Sequence, residues 1–104
     1  MFTGWPVQVI GEVAAAVARI IGTRRQSRGF KIGRTVDPQQ RFNQHRADEL
    51  HVIYSTSSID HAITVENALI NYFANDERSL NQALHGGGGV SYDYDHHVYV
   101  AVWR

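Results

Sequence analysis

Residues 59–73, IDHAITVENALINYF, put Ile59, Ala62, Ile63, Leu69, Ile70 and Phe73 on one side of a helix turning about 100° per residue. Asp60, Thr64, Asn67 and Asn71 fall on the other side, so the segment is an amphipathic helix with its apolar stripe toward a core. Glu66 breaks the pattern, because it lies in the middle of that stripe. Ser58 is a good N-cap for this helix, which runs to about Asn75. A shorter helix begins at Pro38, where Asp37 is the cap and Gln40 completes a capping box, and it extends to about Asp48. FKIGRT (30–35), LHVIYST (50–56) and HVYVAVW (97–103) read as strands, the first with a close-approach glycine at Gly33. Residues 7–21 fit two patterns. Ile10, Val13, Val17, Ile20 and Ile21 follow helical spacing among alanines, whereas Val7, Val9, Val17 and Ile21 also suit a strand. GTRRQSRG (22–29) is a polar loop, NDERSLNQALH (75–85) is polar with a short helical tendency, and the glycine run 86–89 is a break. This order predicts one α+β domain over residues 1–104. Its sheet is small, three- to four-stranded and mainly antiparallel, with flanking helices.

Composition narrows the class. The 104-residue chain is 43% hydrophobic, which is ordinary for a globular domain. It has no cysteine, no apolar run near the ~20 residues that span a membrane, and no leader pattern, so a cytoplasmic setting is the default expectation. The net charge of zero hides an asymmetry. Residues 1–46 carry eight basic and two acidic groups, a net +6, and residues 47–104 carry two basic and eight acidic, a net −6. Nine of the ten basic residues are arginine, the side chain suited to forked contact with phosphate or carboxylate. The two halves either neutralise each other in the fold or leave a basic face for an anionic partner.

Arg41 and His45 lie one turn apart on the helix that starts at Pro38. They pair a permanent phosphate fork with a group that titrates near neutrality. Lys31 and Arg34 come just upstream on or after the first strand. On its own such a pair is more often just a solvated helix face. Glu66 has no such bland reading, because a buried carboxylate needs a partner. The expectation is that Glu66, Arg41 and His45 open into one shared cleft.

KIGRT followed by DPQQRFNQH, a strand, a helix with a central glutamate, and SLNQALHGGGG resembles the GIY-YIG nuclease superfamily over about residues 30–89. KIGRTVDPQQRFNQH is the most specific part, in the manner of branches that carry KIG. The resemblance implies a small three-stranded sheet with flanking helices and phosphodiester hydrolysis at a single metal ion, as in homing endonucleases, some restriction enzymes and repair incision nucleases. Glu66 then matches the glutamate that holds the divalent ion, Mg²⁺ or Mn²⁺. Arg41 matches the arginine of the first helix, His45 the residue one turn later, Gly33 the glycine of the second motif and Asn81 the asparagine of the later loop. Lys31 stands where the tyrosine of YIG would be. No GIY occurs upstream; if residues 16–22 form the first strand, the first tyrosine of the family falls on Ala18. Three readings follow. His45 takes the proton itself; or Tyr99 enters the site from the last strand, with the N-terminal segment a helix; or the domain binds nucleic acid without cutting it.

Chemistry supports the set. Mg²⁺ is held by one carboxylate together with substrate phosphate and water, Arg41 forks onto phosphate, and Lys31 adds charge. The candidate catalytic residues are therefore Lys31, Arg41, His45, Glu66 and Tyr99, with Glu66 the metal ligand. Arg24, Arg25, Arg28, Arg34 and Asn81 are the nucleic-acid-facing set. The expected activity is that of a metal-dependent DNA endonuclease, against a catalytically inactive nucleic-acid-binding module on the same fold, or a partner-binding adaptor using the acidic C-terminal half. Sequence specificity in so small a chain needs a homodimer or another partner, or is absent, and the alanine-rich N-terminal segment is either an oligomer-forming helix or ordinary packing. Asp93, Asp95, His96 and His97 offer metal ligands, but a polar turn entering the last strand accounts for them. The glycine run lacks the lysine and hydroxyl of a P-loop. His51, His61 and His85 are expected to face solvent, and Trp5 and Trp103 to serve packing before base stacking.

Overall fold

A computed structural model describes residues 1–81 and 94–104. The glycine run, His85 and Asp93 lie outside the described residues. Three helices and three strands follow the order α1 (Pro6–Ile21), β1 (Gly29–Thr35), α2 (Pro38–His45), β2 (Glu49–Thr56), α3 (Ile59–Tyr72) and β3 (His96–Trp103). The sheet is antiparallel with the order β1-β3-β2, so the last strand is central and the fold is α+β.

Alternation along β3 divides the sheet into two faces. Val98, Val100 and Val102 are fully buried and join Phe30, Ile32, Ile53 and Tyr54 in the core. Helix α1 adds Val13, Ala14, Val17 and Ile21 to that core, and α3 adds Ala62, Val65, Leu69 and Ile70. His97, Tyr99, Ala101 and Trp103 point to the opposite face, where α2 lies.

Local chemistry settles each boundary. Residues 7–21 are helical because Pro6 sits at the first helical position and the buried residues recur at helical spacing, so the strand alternative, with Ala18 in place of a tyrosine, is excluded. Helix α2 begins as expected, with the Gln40 N–H donating to the Asp37 carboxylate at 3.1 Å. It stops at His45 and not near Asp48, because Arg46 turns left-handed at φ 54° and closes the last turn with its N–H on Phe42 O. In α3 the buried stripe runs through Val65 and not Ile63, and Phe73 caps the helix earlier than Asn75. Glu66 remains inside the stripe at 2% exposure.

The edges of the sheet are covered. Phe2 bridges to β2, its N–H donating to Ile53 O and its carbonyl accepting from the Ser55 N–H. Residues 78–81 run along β1: Phe30 exchanges backbone hydrogen bonds with Arg78 and Leu80, and the Asn81 side chain continues the ladder. Its Oδ1 accepts from the Ile32 N–H at 3.0 Å and its Nδ2 donates to Ile32 O at 2.8 Å. Asn81 therefore serves the edge strand that carries Lys31 and Gly33. At the other end Arg104 donates through Nε to Glu49 at 2.7 Å, and Arg104 with His51 holds the Glu49 carboxyl down to about 2.

Candidate active site on the α2 face

Lys31 and Gly33 lie on the α2 face of β1, and Gly33 is directly opposite Tyr99 of β3. The phenol lies across Gly33. A Cβ there would meet the Tyr99 hydroxyl and sit 2.6 Å from Cζ, so only glycine admits the ring. Tyr99 is thereby sunk to 2% exposure with its hydroxyl directed at α2. His45, in the last turn of α2, meets it: Nε2 and Oη are 2.7 Å apart. The imidazole also stands edge-on to Trp103, with ring centres 6.3 Å apart.

This pair sits in a cationic field. Burial holds the His45 imidazole below its ordinary range, and the Lys31 and Arg41 charges push the same way. Burial raises the Tyr99 phenol; the Arg41 guanidinium opposes that rise and the Glu66 carboxylate adds to it. At neutral pH the imidazole is neutral and the phenol protonated. The proton lies either on Oη, donated to Nε2, or on Nε2, donated to Oη, according to tautomer. Lys31 and Arg41 thus act on His45, and Arg41 and Glu66 act on Tyr99.

Glu66 does not open into a cleft shared with Arg41 and His45. It is 2% exposed, and its Oε1 lies 3.0 Å from Arg34 Nε, itself on a side chain 7% exposed. Arg34 alternates with Gly33 along β1, so this ion pair is on the core side of the edge strand and the His45–Tyr99 pair on the other. Arg34, expected to face nucleic acid, is here the internal counterion of Glu66. The other arginines of that set are separate. Arg24 pairs with Glu77 at 3.4 Å on the surface, Arg28 donates to Arg104 O, and Arg25 is exposed; all three precede Gly29, about 13 Å along β1 from Gly33.

Among the described residues no group of three or more acidic, histidine or cysteine side chains converges, so a cage built wholly of protein ligands is not offered. Glu66 is the carboxylate whose charge reaches Tyr99. One carboxylate can hold Mg²⁺ or Mn²⁺ arriving with phosphate and water, and Glu66 would do so only by giving up its contact with Arg34. Among the other histidines, His96 is 1% exposed, while Nδ1 of His97 lies 2.6 Å from Ser55 Oγ. His51 pairs with Glu49. Trp5 is 62% exposed and rests against His61, so it is not the packing residue expected. No single-residue signal marks these last contacts, which depend on how the first five residues are laid along β2.

The family model for the T5orf172 domain matches residues 17–94; this is a small domain family related to GIY-YIG and HNH-like nucleases. No curated protein and no solved structure matches the chain.

Two outcomes test the site. Arg34→Met removes the counterion 3.0 Å from the buried Glu66 carboxylate and should cost about 3–5 kcal/mol in thermal unfolding. Mn²⁺ should recover part of the lost Tm in that variant, and an unchanged Tm with Mn²⁺ would assign Glu66 to the ion pair alone. Because the folded state holds the His45 proton more weakly than the unfolded chain, the stability from neutral His45 is complete above about pH 6.5. It declines as pH falls from there to the folded-state midpoint. An NMR titration should give a midpoint below 6.5 that rises in Lys31→Met; a midpoint at or above 6.5 contradicts the assignment.

Proposed function

Since the chain belongs to the T5orf172 domain family, we propose that it is a metal-dependent endonuclease that hydrolyses phosphodiester bonds of DNA. The observation that carries the reading is the 2.7 Å contact between His45 and Tyr99 under the charges of Arg41 and Lys31. Arg41 forks onto non-bridging phosphate oxygens and neutralises charge that grows as water attacks phosphorus. Lys31 adds a second positive charge on the same side. Neutral His45 is the base: the attacking water gives its proton to Tyr99 Oη as Oη passes its own to Nε2, or gives it to Nε2 directly. The protonated imidazole then returns a proton to the departing oxygen. Glu66 would hold the divalent ion, which supplies further charge neutralisation and a more acidic water. Tyr99 stands in for the missing upstream tyrosine. It lies beyond the matched span of residues 17–94, so its role rests on geometry.

A second reading is a nucleic-acid-binding module without cleavage. The observation in its favour is the burial of Glu66 against Arg34. The two readings separate on supercoiled plasmid with Mg²⁺ or Mn²⁺. The nuclease reading expects nicking that Arg41→Ala slows about 10²–10³-fold. Salt-sensitive binding without nicking by the wild-type protein would establish the second reading and end the first.

A further inference from the structure

A cavity of about 570 Å³ opens beside the site, lined by Trp5, Ser57, His61, Asp95 and His97 among others. That volume is within the range of small-molecule sites. The first residues build one wall. Phe2 is hydrogen-bonded to β2 on both sides, and Tyr54 Oη donates to Gly4 O, which brings Trp5 over the start of α3. There the indole rests on the His61 ring, with centres 4.8 Å apart. The other wall is His97, tied to Ser55 and two residues from Tyr99 on the same face of β3, hence about 6.6–6.8 Å along the strand. The cavity is thus the next position along the surface from the His45–Tyr99 pair.

We infer that this cavity takes an unpaired nucleobase next to the scissile phosphate, a conclusion that rests on the nuclease reading above. An exposed indole on the wall of a cavity is a stacking platform. No lysine or arginine is among the described residues that line the cavity, and Asp95 brings a carboxylate to it. A base is uncharged and flat, and an exocyclic amino group on its edge can donate to the Asp95 carboxylate. Cytosine, adenine and guanine carry that group and thymine does not. The substrate class is then DNA with a single-stranded tail or gap at the cleavage point.

The test uses the full chain with EDTA and fluorescein-labelled duplexes that are blunt or carry a short oligo-dC or oligo-dT tail. Wild type should bind the dC tail more tightly than the dT tail by about 5-fold or more, and both more tightly than the blunt duplex. Trp5→Ala should weaken binding of tailed DNA by about 5- to 150-fold and leave blunt binding unchanged, with Trp5→Phe close to wild type. Asp95→Asn should remove only the dC-over-dT preference. Equal binding of tailed and blunt DNA, or a Trp5→Ala loss common to both, overturns the inference while salt-sensitive duplex binding and nicking leave the nuclease reading intact. A change of oligomeric state in Trp5→Ala, seen by sedimentation, assigns the indole to a second copy of the chain and also overturns it. If wild type binds none of the three duplexes, this inference fails; if it also neither binds nor nicks plasmid with Mg²⁺ or Mn²⁺, the nuclease reading fails with it.

Discussion

The contact on which the site depends is the phenol of Tyr99 lying on bare backbone at Gly33. It needs three things at once: a strand pair in register, a residue with no side chain in β1, and a tyrosine directly opposite in the central strand. Because the ring lies flat over Gly33, its hydroxyl ends beneath the last turn of α2 and not in solvent. Arg46 ends that helix immediately after His45, which leaves the imidazole at a helix terminus with its edge toward the sheet. The position of the proton-sharing pair thus follows from backbone geometry at two points. The edge strand beneath it is held by the Asn81 amide on Ile32, so the remote loop contributes rigidity to the place where Lys31 and Gly33 stand.

The Arg34–Glu66 pair answers the question raised by an acid in an apolar stripe. A guanidinium from β1 meets Glu66 at 3.0 Å and offsets part of the cost of burying it. Such a pair is a weak source of stability, yet losing either member leaves a buried charge. It also places a fixed negative charge just beneath the edge strand, where Tyr99 senses it. The two faces of β1 therefore carry different duties: charge balance on the core side and proton sharing on the α2 side.

Much of this was legible in the sequence. Asp37, Pro38 and Gln40 announced α2, Gly33 announced a close approach, and the four-residue spacing of Arg41 and His45 put them on one face. Tyr99 entering from the last strand was one of the open alternatives. Other features depended on pairing across long sequence separations. The partner of Glu66 is 32 positions away in the chain, and whether Arg34 faces it or solvent turns on the phase of β1. The helix-or-strand ambiguity of residues 7–21 reflects valines and isoleucines that satisfy both periods, and tertiary packing against α3 decided it. Helix α2 ends at an arginine in the left-handed region, a conformation that glycine or asparagine would have signalled. The exposure of Trp5 follows from the Phe2 bridge to β2, a two-residue contact with no sequence signature.

The central claim is that His45 and Tyr99 act as one proton-transferring unit. Plasmid nicking rates for His45→Ala, Tyr99→Phe and the double variant test it directly. A unit predicts that the double variant is no slower than the slower single variant, since either change already removes the function. If the two losses multiply in the double variant, His45 and Tyr99 act independently and the account is contradicted.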